Sequence, residues 1–233
     1  LEVAPLEERF DDFAHLAADV AARYPDVRYF QVWNEFKGFY SPTRNTWDVQ
    51  AYVRLYNEVY NAVKAVRPDA QIGGPYAPLE LYRTAPFPSE ISGPWGTVDR
   101  RALDAIDYFL AHADADFIAL DGWSITRDAG YLTTPIAATG VFPAVTRWLR
   151  ARTDLPIWWS ELYPVDAGWP LQLQADVMLA TLVQLEAAGA NVALLWDPEA
   201  HGTLCHGCLW TDPRLGPVAP TPLAGAVLPW PPT

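Results

Sequence analysis

The chain has 233 residues, 51% of them hydrophobic, and its 28 acidic and 16 basic side chains give a formal net charge of -12. This apolar content can bury the core of one domain, which excludes a largely disordered chain. An acidic chain lacks the clustered Lys and Arg that bind phosphates. Nucleic acid and anionic membranes are therefore excluded as partners, and a neutral ligand fits better.

The periodicity of apolar residues predicts helices that alternate with strands. The first helix, residues 6–24, would bury Phe10, Phe13, Leu16 and Val20, and it ends before Pro25. Later helices are predicted from a cap at Thr46 to Pro68, over 101–112 after a cap at Asp99, over 142–152, and from Pro170 to Gly189. The predicted strands are residues 27–33, 71–74, 117–120, 156–160 and 191–196.

In two further segments the apolar residues show no clear helical or strand periodicity. Residues 77–98 are rich in proline and contain Gly93 and Gly96, so we predict a long, shaped loop of the kind that builds binding surfaces. Residues 220–227 resemble the start of a last helix, and a proline-rich tail follows.

Alternating strands and helices indicate βαβ units and a parallel sheet, an α/β fold. A closed (β/α)8 TIM barrel needs eight strands. Since five are found and the chain opens with a helix, we predict a barrel fragment that lacks the first three strands, with residues 1–233 forming one partial catalytic domain. The alternative is a complete open sheet of five strands. It is disfavoured because such sheets bind ligands through phosphate-binding glycines, and no G-x-G-x-x-G or Walker pattern is present.

Two glutamates occupy matching positions at the ends of predicted strands. Glu35 closes the aromatic run Tyr29 to Asn34, and Glu161 closes Leu155 to Ser160. Catalytic groups of α/β barrels lie where strands end. Two such acids, distant in sequence, form the simplest arrangement that cleaves a glycosidic bond.

The run Val32-Trp-Asn-Glu-Phe-Lys-Gly38, with Gly73-Gly-Pro75 and Trp159-Ser160-Glu161, resembles the glycoside hydrolases of clan A, most of all family 39, the β-xylosidase and iduronidase group. The resemblance covers nearly the whole chain as strands four to eight of the barrel. It implies a retaining O-glycoside hydrolase acting on β-linked oligo- or polysaccharides, with Glu35 as acid/base and Glu161 as nucleophile. It also implies that Asn34 bonds the sugar 2-hydroxyl.

Further substrate-binding residues are predicted beside these acids. Trp196 ends the last strand and is either the stacking floor for the sugar or part of the core. Trp33 precedes the Asn-Glu pair, and Tyr163 could bond the sugar or the nucleophile. Asp121 and Trp123 stand after the third predicted strand, where members of the family commonly place His or Tyr to orient the nucleophile. Asp121 would hold a substrate hydroxyl, perturb the pair of acids, or cap its loop.

No cofactor and no metal are predicted. Cys205 and Cys208 either form one local bridge or remain thiols. A zinc site that used them with His201 and His206 would crowd its ligands into one short loop. Asp197 and Glu199 remain candidate substrate ligands or solvated acids.

Three functions remain open. The first is the hydrolase, with carbohydrate as its partner. The second is a barrel that binds carbohydrate without turnover, and the third is an inactive fragment with unpaired strand edges. No apolar run is long enough to span a membrane and no signal sequence opens the chain. An extracellular or a cytoplasmic location, the oligomeric state and the sugar specificity stay undetermined.

Overall fold

The computed structural model describes residues 3–227, which form a mixed α/β fold with a central sheet. Helices are α1 (Phe10–Arg23), α2 (Val49–Val66), α3 (Arg100–His112), α4 (Pro135–Ala138), α5 (Val141–Arg150), α6 (Leu171–Ala188) and α7 (Pro222–Val227). Strands are β1 (Tyr29–Gln31), β2 (Tyr40–Ser41), β3 (Thr46–Trp47), β4 (Gln71–Tyr82), β5 (Pro88–Gly93), β6 (Gly96–Asp99), β7 (Phe117–Thr126), β8 (Ile157–Tyr163) and β9 (Val192–Leu195). The proline-rich tail predicted after residue 227 lies outside the described residues.

The main sheet has the strand order β5-β6-β4-β7-β8-β9, and β1 also pairs with β4. The β1–β4 pair is parallel, with Tyr29 opposite Gln71. In the described part of the chain β5 and β9 end this path, so these strands do not close a barrel. The five predicted strands are confirmed as β1, β4, β7, β8 and β9.

The chain divides into two compact units. Of the described residues, the first unit contains 3–78, 100–121 and 153–158. Helices α1 and α2 pack against each other there. Its core is built on Tyr52, Tyr56 and Phe109, whose rings contact one another at centroid separations of 4.7 to 6.3 Å. Gly74 is required where β4 passes this core, because a Cβ atom would lie 2.7 Å from the Tyr52 hydroxyl and 2.9 Å from the Tyr56 ring.

Of the described residues, the second unit contains 79–99, 122–152 and 159–227. Its largest fully buried side chain is Trp159 of β8, which packs edge-on against Phe142 of α5 and donates its indole N–H to the Thr146 hydroxyl at 3.0 Å. Gly122 lies against the same ring, and a Cβ atom there would meet Trp159 Cζ3 at 2.8 Å. Trp159, part of the Trp-Ser-Glu motif, therefore serves the core.

Two local predictions are wrong. The face of α1 buries Phe10, Ala14, Ala18 and Ala21, whereas Leu16 and Val20 are exposed, because small residues let α1 approach α2 closely. The cap of α2 is Asp48, whose carboxylate accepts the Ala51 N–H, and Thr46 belongs to β3.

The segment predicted as a long loop contains a hairpin. After β4, strands β5 and β6 pair antiparallel, with Ser92 opposite Thr97 and Gly93 opposite Gly96. Gly96 adopts a φ of 119°, which this turn requires and which favours glycine. Of the prolines that indicated a loop, Pro88 starts β5 and Pro94 lies in this turn, positions where a missing N–H is tolerated. Pro86 lies between β4 and β5, and Pro78 lies within β4.

Two strands continue past their predicted ends, β4 to Tyr82 and β7 to Thr126, so that Asp121 and Trp123 lie within β7 and not after it. Helix α6 ends at Gly189, which has a left-handed φ of 96° as expected of a C-terminal glycine. Helix α7 is present where a last helix was predicted. Among the described helices, none is long and apolar enough to cross a membrane. That residues 1–233 constitute one partial barrel domain stays a prediction.

Candidate active site

The segment that carries Glu35 is a tight loop after β1. Trp33, Glu35 and Phe36 all have positive φ angles, of 69°, 49° and 55°. Residues other than glycine seldom adopt this region, and each such residue costs about 1–3 kcal/mol unless its surroundings hold it there. Strained backbone of this kind clusters at functional sites, which makes the Glu35 loop a candidate site.

Phe36 anchors this loop in the first unit. Its ring is fully buried and packs edge-on against Tyr52, with centroids 4.8 Å apart. The hydroxyl of Tyr52 donates a hydrogen bond to the Val32 carbonyl at 3.0 Å. The backbone is therefore fixed on both sides of Glu35, since Val32 precedes it and Phe36 follows it.

The carboxylate of Glu35 has two charged neighbours in the first unit. Lys37 Nζ lies 2.7 Å from Glu35 Oε2. A carboxylate oxygen of Asp121, a residue only 2% exposed, lies within 4.8 Å of one from Glu35. The ammonium of Lys37 is therefore the direct counter-charge of the Glu35 carboxylate.

Glu161 is buried in β8 of the second unit. Tyr163 lies two residues further along the strand, hence on the same face, and its hydroxyl donates to Glu161 Oε2 at 2.6 Å. This bond fixes one carboxylate oxygen of Glu161.

Two exposed tryptophans stand beside this pair. Trp123 of β7 stacks on Tyr163 with ring centroids 3.9 Å apart and an interplanar angle of 8°. The ring centroid of Trp196 lies 6.4 Å from that of Tyr163, with an interplanar angle of 54°. Their exposed fractions are 44% and 47%, high for tryptophan, and flat apolar rings of this kind bind sugar faces. The second unit thus holds a buried acid next to open aromatic surface.

Trp33 and Asn34 lie on the Glu35 loop but differ in how much of them remains available. The indole N–H of Trp33 donates to the Lys37 carbonyl at 2.6 Å, and the ring packs edge-on against Phe13 and Phe39. Trp33 therefore has a structural role in the loop. Asn34 accepts the Lys37 N–H through its backbone carbonyl, and its half-buried side chain belongs to the same loop as Glu35.

The loop after β9 resolves the question about the cysteines. Cys205 and Cys208 form a disulfide, so their sulfurs are not available as metal ligands. His201 Nε2 lies 3.4 Å from Asp197 Oδ1, which turns both side chains toward each other. Glu199 forms a backbone bridge with Trp210, and His206 is half-buried in the disulfide loop.

A cation site at the Glu35 loop has weak support. Hard cations such as Ca²⁺ take about six to eight oxygen ligands. The first unit offers the carboxylates of Glu35 and Asp121, and the former is already paired with Lys37. These residues suit proton transfer and hydrogen bonding better than metal ligation.

Solved β-glycosidase structures share this fold. The chain superposes on a family 39 β-xylosidase from Caulobacter crescentus with a TM-score of 0.55 at 19% identity, over 88% of this chain and 41% of that one. It superposes on the family 39 enzyme from Xanthomonas axonopodis pv. citri with a TM-score of 0.62 at 20% identity, over 96% of this chain and 45% of that one. It superposes on a hyperthermophilic β-glucosidase with a TM-score of 0.65 at 14% identity, over 94% of this chain and 60% of that one.

The likeness to family 39 inferred from the two glutamate motifs is thus confirmed as a likeness of fold. The chain spans about half the length of these proteins. No protein-family model matches the sequence, and no curated protein matches it.

Sequence reasoning missed two residues that shape the site. Lys37 stands two positions after Glu35 where the chain turns, and that proximity was a usable signal. Tyr52 lies on the buried face of α2, where an aromatic residue predicts only core packing. Its bond to the Val32 carbonyl depends on the position of α2 beside β1, for which the sequence has no local signal.

Proposed function

We propose that this chain carries both catalytic acids of a retaining β-glycoside hydrolase. The observation that carries the proposal is the buried Glu161 carboxylate, held at one oxygen by Tyr163 and flanked by the exposed rings of Trp123 and Trp196. A carboxylate fixed in this way can attack a sugar carbon with its second oxygen. Trp196 would support the sugar ring, and Asn34 would bond its 2-hydroxyl.

In the proposed reaction Glu161 attacks C1 and the bond from C1 to the departing oxygen breaks. Glu35 gives its proton to that oxygen. Glu35 then removes a proton from water, whose oxygen attacks C1 and releases Glu161, so the anomeric configuration is retained. This mechanism requires the two carboxyl groups to face each other about 5–5.5 Å apart. Asp121, whose carboxylate lies within 4.8 Å of that of Glu35, would bond a substrate hydroxyl.

The finer assignment of the fold is part of the same proposal. Strands β1, β4, β7, β8 and β9 would correspond to strands four to eight of a (β/α)8 barrel, so that Glu35 would follow the fourth strand and Glu161 would belong to the seventh. The alternation of strands and helices supports it, as does the share of the glycosidase chains that this chain covers. The substrate would be a β-linked oligo- or polysaccharide.

Each acid has its own test on the complete natural protein. Wild type should hydrolyse 4-nitrophenyl β-xyloside or β-glucoside. Glu161→Ala should abolish turnover, and azide should restore it with an inverted glycosyl azide as product. Turnover that persists in Glu161→Ala, or azide that yields a product of retained configuration, would refute the nucleophile assignment.

The acid/base is tested by the leaving group. Glu35→Gln should lower kcat/KM by about 10²–10⁴-fold on an alkyl glycoside, the usual contribution of general acid catalysis. The loss should be far smaller on a 2,4-dinitrophenyl glycoside, whose leaving group departs without a proton. Equal losses on both substrates would show that Glu35 does not donate the proton.

The ion pair between Lys37 and Glu35 favours one alternative, a barrel that binds carbohydrate without turnover. In that case Trp196 would still hold a sugar. Calorimetric titration with a xylo-oligosaccharide would then detect binding that Trp196→Ala removes, while no product forms over many hours. Product release from the same oligosaccharide excludes this alternative.

A further inference from the structure

The contact between Trp123 and Tyr163 is the closest aromatic stack in the described part of the chain. Their ring centroids are 3.9 Å apart and their planes are within 8° of parallel. The ring centroids of Trp196 and Tyr163, in contrast, are 6.4 Å apart and their planes differ by 54°. One face of the Trp123 ring is therefore covered by Tyr163. The hydroxyl of that same tyrosine donates to Glu161 at 2.6 Å.

We infer that Trp123 is a positioning residue for Glu161 that acts through Tyr163, an inference that rests on the proposed function. A tyrosine ring turns about two side-chain torsions, so its hydroxyl can leave a carboxylate unless the ring is held. Trp123 holds it from the neighbouring strand. The backbone before Trp123 supports this geometry, because Gly122 lets β7 approach Trp159 of β8.

The hydrogen bond from Tyr163 determines which oxygen of Glu161 reacts. Oε2 accepts the hydroxyl proton, so the other oxygen attacks C1. When the bond to C1 forms, Oε2 becomes the carbonyl oxygen of the glycosyl ester and the same hydroxyl still bonds it. Tyr163 keeps its proton throughout. The stack thus fixes the plane of the carboxylate for both halves of the reaction.

This assignment separates the roles of the two exposed tryptophans. Trp196 is tilted away from Tyr163 and remains the platform for the sugar. Trp123, predicted from sequence as a substrate-binding residue, acts on the nucleophile instead. Loss of a platform weakens substrate binding, whereas loss of a positioning contact slows the chemical step, so the two roles differ in their kinetics.

A double-mutant cycle on the complete natural protein tests the inference. Tyr163→Phe should lower kcat by about 10- to 100-fold, the range for a hydrogen bond to a charged group. Trp123→Leu should lower kcat by about 3- to 10-fold, and neither variant should change KM more than about twofold. The double variant should be no slower than Tyr163→Phe alone, because Trp123 acts only through the hydroxyl. Trp123→Phe should recover most of the lost kcat.

A matched control is the stack of Tyr108 on His112 within α3 of the first unit, with ring centroids 4.0 Å apart and ring planes 16° apart. Tyr108→Leu removes this stack and should leave kcat unchanged, because Tyr108 belongs neither to the strand of Glu161 nor to the loop of Glu35. Far-ultraviolet circular dichroism verifies the fold of every variant. If Trp123→Leu fails to fold, Trp123→Met removes the stacked ring with a smaller loss of volume and supplies the same cycle.

Several results would overturn the inference. A rise in KM with unchanged kcat in Trp123→Leu would make Trp123 a sugar platform. Multiplicative losses in the double variant would show that Trp123 acts independently of Tyr163. Both outcomes leave the hydrolase proposal intact, provided that azide rescues Glu161→Ala. Failure of that rescue would remove the hydrolase proposal and this inference with it.

Discussion

Tyr52→Phe tests how the core holds the Glu35 loop. The substitution keeps the ring, and with it the edge-on contact with Phe36 at 4.8 Å. It removes the hydroxyl that bonds the Val32 carbonyl at 3.0 Å in a fully buried position. A buried acceptor that loses such a donor costs about 1–3 kcal/mol, so the free energy of unfolding at neutral pH should fall by that amount.

The same substitution should alter the response to alkali. Burial raises the pKa of Tyr52 well above its usual range, and burial also raises the pKa of Tyr56. A pKa raised in the folded state contributes stability that is fully present below the unfolded value of about 10 and is lost as pH rises above it. Each such tyrosine adds about 1.36 kcal/mol per pH unit to that loss. Above about pH 10 the free energy of unfolding of the variant should therefore fall about 1.36 kcal/mol per pH unit less steeply than that of wild type.

Urea unfolding followed by circular dichroism, from about pH 7 to about pH 11.5, measures both effects. The stability difference between wild type and variant should shrink as the pH rises above about 10. Tyr24→Phe is the control, since Tyr24 is 54% exposed and the substitution should change neither quantity. Parallel curves for wild type and Tyr52→Phe above about pH 10 would refute the reasoning.

Activity gives a second measure of the same contact. Because Val32 lies just before the Trp33-Asn34-Glu35 run, loss of its partner should let Glu35 shift, and a shift near 1 Å can cost about 100-fold in rate. We expect kcat/KM of Tyr52→Phe to fall about 10- to 100-fold on alkyl glycosides. An unchanged kcat/KM together with the expected loss of stability would show that Tyr52 supports the core alone.

Three further predictions concern the second unit. Gly122→Ala places a Cβ atom 2.8 Å from Trp159, so overpacking should lower the free energy of unfolding by about 1–3 kcal/mol, as measured in urea. The side chain of Gln174 donates to the Trp169 carbonyl and accepts the Gly207 N–H. Gln174→Leu should lower the free energy of unfolding by about 1–3 kcal/mol, because both backbone groups lose their partner. Gln172→Leu, on the exposed side of the same helix, is its control. The Arg214 side chain, aided by the Gly202 N–H, holds the pKa of Asp212 well below its usual range. That contribution to stability is present above about pH 4 and is lost as pH falls, so the urea midpoints of wild type and Asp212→Asn should differ at neutral pH and converge in acid.

The positions of the main elements could be predicted because their signals are local. The apolar runs at Phe117 and Ile157 and the terminating Gly189 lie within the segments that they define. The two glutamates were found for the same reason, since each follows an apolar run directly. Local signals failed at Leu16 and Val20, where an apolar face was expected and the small residues of α1 are buried instead.

The sequence by itself therefore determined the order of the five parallel-sheet strands and of the long helices, without the β2–β3 and β5–β6 hairpins or the short helix α4, and it determined which acids stand near strand ends. Only the tertiary structure decided which side chains meet. Lys37 pairs with Glu35 because the chain turns back at Phe36, and Trp123 reaches Tyr163 because β7 and β8 are neighbours in the sheet. The physical reason is that backbone preferences act over a few residues, whereas side-chain contacts depend on the packing of segments that are distant in the chain.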